Sequence, residues 1–180
     1  GGVLTGSEGA KTWESYQGAA WVARIPNGLF GNYNPYTTLI EGDWYIPSKP
    51  FHTGEVYLNG KSMYEAEDLE GVLQPQEYKS SWDRAFTIYR WYTCQEDGNT
   101  VLYANFHGAN PNEENVEINV RRNCFYPSKT GVNYITLSSF VVRQAATQWV
   151  PPTAYQEGMI GPHWSKGWII EDCEVSDSKC

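Results

Sequence analysis

Four carboxylates crowd one stretch of the sequence: Glu171, Asp172, Glu174 and Asp177. Two carboxyl groups about 5–5.5 Å apart can divide the work of nucleophile and general acid between them. Residues at matching positions of neighbouring strands stand about 4.7–4.9 Å apart, so a stacked pair of acids would suffice. The residues found 35, 34 and 33 positions before Glu171, Asp172 and Glu174 are Thr136, Ser138 and Val141, none of them an acid. These carboxylates therefore read as solvated surface, and no catalytic residue is assigned. Glu157 carries a weaker case, and Glu113 and Glu114 read as an exposed turn after Pro111.

A second chemistry is better represented. The chain holds 8 Trp and 13 Tyr, with aromatics at 15%. Flat rings cover C–H faces of hydroxyl-rich ligands while amides bind the hydroxyls. The residues placed to do this are Asp43 and Trp44, which follow Gly42, and Trp149, Gln156, His163 and Trp164, which lie in or beside a long loop. Trp168 matches an inward position and reads as core. Arg121 and Arg122 read as structural, with Glu117 as a partner, and Lys166 as solvated. The four cysteines, at 94, 124, 173 and 180, contain no CxxC pair and only 3 His accompany them. No metal site and no cofactor is expected from that spacing. Cys124 and Cys173 read as buried apolar residues.

The formal charge of −8 and the pI near 4.8 argue against nucleic acid and against anionic membranes as partners. No apolar run reaches the length of a membrane span. The opening Gly1-Gly2-Val3-Leu4 reads like the middle of a domain.

The elements that must position these groups are strands. Alternating or β-branched runs occupy 20–25, 55–58, 86–92 and 100–104, with one short helical stretch at 65–70. Asn59-Gly60 and Asp97-Gly98-Asn99 are hairpin signals. Residues 14–115 are thus expected to form an antiparallel β-sandwich. The remainder shows another pattern. Ile118, Val120, Asn123 and Phe125 share the spacing i, i+2, i+5, i+7 with Ile135, Leu137, Phe140 and Val142, and with Trp168, Ile170, Cys173 and Val175. A step of two keeps a side chain on one face, and a step of three marks a corner. Stretches of this kind bury their apolar face only by stacking. Residues 116–180 are therefore expected to form parallel β-helix coils, residues 1–13 the end of an earlier coil, and residues 147–165 a loop inserted between coils. The fold class expected is all-β.

Longer motifs add a family resemblance. Asn27–Tyr36 (NGLFGNYNPY), Glu41–Trp44 (EGDW), Gly54–Glu65 (GEVYLNGKSMYE), Tyr103–Glu114, Val116–Thr136 and Gln144–Cys180 together span nearly the whole chain. They resemble glycoside hydrolase family 120, the β-xylosidase family. The resemblance implies a right-handed parallel β-helix carrying the sandwich as an insertion. It also implies a retaining reaction on xylo-oligosaccharides, an Asp nucleophile and a Glu acid/base located beyond the segment matching Asp177–Cys180, and homo-oligomers. On this view the chain is a substrate-side portion of such an enzyme, inactive without the later residues and prone to aggregate through open edges. The alternative is a non-catalytic carbohydrate-binding or adhesive module. A polysaccharide lyase fits less well, because the net charge repels polyuronates.

Overall fold

The computed structural model describes residues 1–42, 49–149 and 155–180. Five strands form the larger sheet, in the order Glu14–Ser15, Ala20–Pro26, Asn99–Asn105, Arg90–Glu96 and Tyr64–Glu65. Its pairs are antiparallel except the last, where Tyr64–Glu65 runs parallel to Arg90–Glu96. A second sheet of four strands, all antiparallel, orders Ser7–Gly9, Val116–Asn119, Val56–Leu58 and Lys61–Ser62.

Alternation explains how the two sheets meet. In the larger sheet Ala23, Ile25, Trp91, Leu102 and Ala104 share one face, and they pack with Val56, Leu58, Val116 and Ile118 of the smaller sheet. Its opposite face presents Ala20, Val22, Val101 and Tyr103, which are covered by Ala66 and by Val72 of the helix Leu69–Leu73. The helix begins at Asp68, whose carboxylate accepts from the Gly71 amide at 2.9 Å. It lies slightly later than the sequence pattern places it. Both hairpin signals close as tight turns: Asn59 and Gly60 have φ of 52° and 81°, and Asp97 and Gly98 have 48° and 78°. Such paired positive φ values match the right-handed twist of the flanking strands. The run read as a strand at 86–92 divides into a 3₁₀ turn, Arg84–Ile88, and the strand Arg90–Glu96.

The parallel β-helix expected for residues 1–13 and 116–180 is not what the chain forms. The first of the three aligned stretches belongs to the antiparallel sheet, where Ile118 stands opposite both Glu8 and Val56. The other two stretches do pair in parallel, Leu137 with Ile170 and Val142 with Val175. Yet they build only small ladders. One holds Val3–Thr5, Val141–Ala145 and Glu174–Ser178, and the other holds Thr136–Ser138 and Ile169–Glu171. Leu137 and Val142 are buried over a small cluster with Ala145 and Met159, whereas Ile170 and Val175 are exposed. The architecture is mostly β, in small sheets. A period of two reports which side chains share a face and says nothing of strand direction, which is why Ile118 fits the repeat without joining a coil.

Three features bind the ladders to the antiparallel body. Gly6 lies so close to the backbone of residues 144 and 145 that an added Cβ would stand 2.5 Å from the Gln144 carbonyl oxygen. Ser7, Glu117 and Gln144 share a buried hydrogen-bond network, with Ser7 Oγ donating to Gln144 Oε1 at 2.6 Å. Lys179 Nζ reaches Glu55 Oε2 at 2.8 Å, and Glu55 Oε1 also accepts from Trp91 Nε1 at 2.9 Å. Glu117 is paired with Arg143, at 3.6 Å, while Arg121 pairs with Glu8 and Arg122 with Glu157. The expected pairing of Arg121 or Arg122 with Glu117 is thus replaced by Arg143, which sits on the ladder strand Val141–Ala145.

Candidate functional site

Two groups of the sequence-predicted residues are brought together. The first is an aromatic shelf on the loop after residue 154. Tyr155 and Trp164 stack with their rings 6.0 Å apart at 24°. The His163 ring lies 5.6 Å from Tyr155 and 5.3 Å from Tyr126. His163 Nδ1 donates to the Pro127 carbonyl at 2.7 Å. That bond fixes the tautomer of the neutral ring and leaves Nε2 as an acceptor. His163 and Trp164 both take positive φ, 47° and 58°, a rare backbone for bulky residues that the loop closure imposes. Trp164 is 76% exposed and Tyr155 is 46% exposed. Gln156 is exposed directly after Tyr155.

The second group surrounds Trp149. A Cβ built on Gly42 would lie 2.2 Å from the indole, so only glycine permits this backbone to pass over the ring. Gln148 clips the same segment in place: its Oε1 accepts from Glu41 N at 3.2 Å and its Nε2 donates to Leu39 O at 2.7 Å. Tyr33 adds a third tie, donating from its hydroxyl to the Ala146 carbonyl at 2.7 Å. Asp43 and Trp44 lie outside the described residues. Burial raises the Tyr33 hydroxyl pKa, against a lowering by its hydrogen bond with Thr53 and by the Arg122 charge.

Glu157 follows Tyr155 and Gln156 in sequence and is held by Arg122, with Nε and Oε2 2.7 Å apart. The Arg122 guanidinium sits 5.8 Å from the Tyr33 ring centroid. Glu157 is therefore a charge-paired anchor of the loop. The clustered acids of the last ladder face no acid on the neighbouring strand: Ser138 stands opposite Glu171, and Val141 opposite Glu174. No group of three or more His, Cys, Asp or Glu able to hold a metal occurs among the described residues. Nor, among those residues, is any helix long and apolar enough to cross a membrane.

The sequence reading missed Tyr126, Tyr155, Gln148 and Tyr33. Tyr126 and Tyr155 lie 29 residues apart and meet hydroxyl to hydroxyl only because Phe125 and Ile160 form a parallel bridge. Gln148 carried a signal, an amide beside a loop tryptophan. Trp168, read as core, is half-buried, its Nε1 donating to Val132 O at 2.6 Å. Cys124 and Cys173 are also partly buried, packed against the small cluster, and all four cysteines are free thiols.

The model of the glycoside hydrolase 120 insertion domain matches residues 10–118, which span the five-stranded sheet and most of the four-stranded one. The chain belongs to glycoside hydrolase family 120. Among solved structures, the complex of XylC with xylose is similar to this family 120 chain at 46% identity, with a TM-score of 0.93. The match covers 99% of this chain and 30% of XylC, so the family 120 chain spans less than a third of that protein's length. No curated protein matches it. The insertion-domain match ends at Ile118, and the aromatic shelf and Trp149 therefore lie in the part of this family 120 chain outside it.

Proposed function

We propose that this chain supplies scaffold and sugar-binding surface to a β-xylosidase-type glycoside hydrolase acting on xylo-oligosaccharides, with the catalytic carboxylates contributed by other residues. The single observation that supports this best is the near-complete superposition on a protein crystallised with xylose. The surface chemistry agrees with it. Trp164 and Tyr155 offer stacked, exposed rings for the C–H face of a pyranose, and His163 offers an acceptor for a hydroxyl. Asp43 and Trp44, which follow Gly42 in sequence, are proposed to reach the same sugar. Gln156 and Trp149 complete the set. The division into residues 1–13, an inserted unit over 14–115 and a tail over 116–180 is part of this proposal, as is self-assembly of the whole enzyme. The family match over 10–118 supports the placement of the inserted unit.

In this reading the chain's own residues bind and orient, while bond cleavage needs a carboxylate pair in the geometry described above. The chain alone is expected to bind xylotriose and to leave 4-nitrophenyl β-xyloside intact. Trp164→Ala and Trp44→Ala should each weaken xylotriose binding about tenfold in calorimetry, the loss of one stacking platform. Release of nitrophenol by the purified chain would overturn the assignment of catalysis elsewhere. Unchanged binding in both variants would overturn the placement of the sugar.

A further inference from the structure

A groove of about 1250 Å³ runs along the antiparallel body, and none of the shelf residues line it. One rim carries Trp82 and Tyr78, which are 94% and 59% exposed. A tryptophan standing almost wholly in water gains nothing from packing, and large rings are ordinarily covered. The segment that presents it is pinned: Asp83 N donates to Ser81 Oγ at 3.2 Å, Tyr78 N donates to Thr87 Oγ1 at 2.8 Å, and Asp83 pairs with Lys61 at 2.5 Å. Trp82 is thus displayed by a structured turn.

The charges in the groove narrow what it can take. Four cations line it among the described residues, Lys49, Lys61, Arg90 and Lys179. Lys49 pairs with Glu67, Lys61 with Asp83, and Lys179 with Glu55. Arg90 donates to the carbonyls of Glu65 and Gln76 and lies 5.8 Å from the Tyr64 ring centroid. An anionic ligand would have to displace one of these partners. A metal ion finds no cluster of three suitable ligands among the described residues. Two exposed rings beside the side-chain amides of Gln74 and Gln76 suit a neutral, hydroxyl-rich chain. The volume exceeds the roughly 300–1,000 Å³ common for single small molecules, so the fit is to an extended ligand.

We infer that this groove is a second carbohydrate-binding site, for a neutral glycan several sugar units long, with Trp82 and Tyr78 as its stacking platforms. It rests on the function proposed above only for the choice of a xylan-type probe. The test labels the chain with 5-fluorotryptophan and follows ¹⁹F resonances as xylohexaose is added, with Trp82 and Trp164 assigned by Trp82→Phe and Trp164→Phe. The Trp82 signal should shift saturably, with a dissociation constant in the range of about 0.1–10 mM. Tyr78→Ala should weaken that response at least about fivefold while the Trp164 response stays as it was. A Trp82 signal that does not move while Trp164 responds would overturn the second site and leave the first standing. A Trp82 shift that follows protein concentration without sugar would also overturn it, identifying a second copy of the chain as the occupant.

Discussion

The antiparallel body and the parallel ladders are built from similar strands but bury them differently. In the body, Trp91, Leu102, Val101, Val56 and Val116 are sealed from water, because the larger sheet is covered on one face by a second sheet and on the other by a helix. In the ladders, Leu137 and Val142 are buried, while their partners Ile170 and Val175 are 44% and 49% exposed. The sequence spacing is the same in the two paired stretches. Burial therefore depends on what lies over a strand as well as on its own pattern, and stability should be distributed accordingly.

The largest expected effect tests that contrast directly. Trp91→Ala removes a fully buried ring and leaves Glu55 without its indole donor, so it should cost about 3–5 kcal/mol in urea unfolding. Ile170→Ala, on the open ladder, should cost less than about 1 kcal/mol. Equal losses would break the comparison. Next in size is the tie between the regions. Lys179→Ala strands Glu55 beside a single remaining donor and should cost about 2–3 kcal/mol, less than a fully isolated buried charge because Trp91 Nε1 stays bonded. Glu55→Gln with Lys179→Met should recover part of that loss, and absence of any recovery would show that the pair is not what joins them.

Alkaline unfolding should come from the body and from this tie. Burial raises the Tyr36 and Tyr57 hydroxyl pKa values, with nearby negative charge adding to it. Burial lowers the Lys179 pKa, but the Glu55 charge and hydrogen bond outweigh it and the net shift is upward. Each group has a folded pKa above its unfolded value. Their stabilisation is therefore complete below the unfolded values, near pH 10, and is lost as pH rises toward the folded ones. The melting temperature should hold through neutral pH and fall steeply above about pH 10. Tyr57→Phe should flatten that fall, and an unchanged alkaline limb would exclude Tyr57 as a cause. A smaller effect than that of the tie is expected at the helix that covers the larger sheet: Asp68→Ala removes the cap on Gly71 and should cost about 1 kcal/mol, with Asp68→Asn recovering most of it.

Much of the body was legible in the sequence, because its signals are local. Asn59-Gly60 and Asp97-Gly98 dictate tight turns, and a turn sets the register of both flanking strands. The ladders were legible in one respect: the 33-residue offset between Leu137 and Ile170 is the register in which they pair. Strand direction was not legible. Ile118 obeys the same spacing and pairs antiparallel, so the expected helix of coils resolved into small sheets. For the candidate site, composition pointed to Trp164 and His163, which the loop gathers. It did not point to Tyr126, brought in by a bridge between distant segments, or to Gln148, whose importance lies in two backbone groups it happens to reach.

The Glu55–Lys179 contact also has a temporal side. Its partners are separated by 124 residues, so closing it incurs the entropy of a very long loop and comes late in folding. During synthesis Glu55 emerges long before Lys179, and until then its carboxylate has the Trp91 indole as a donor but lacks the ammonium that completes its pairing. The core around Trp91 therefore cannot dry completely ahead of the ladders. A chain released before residue 179 would carry a wet seam through its otherwise finished body, an opening that proteases and chaperones can recognise.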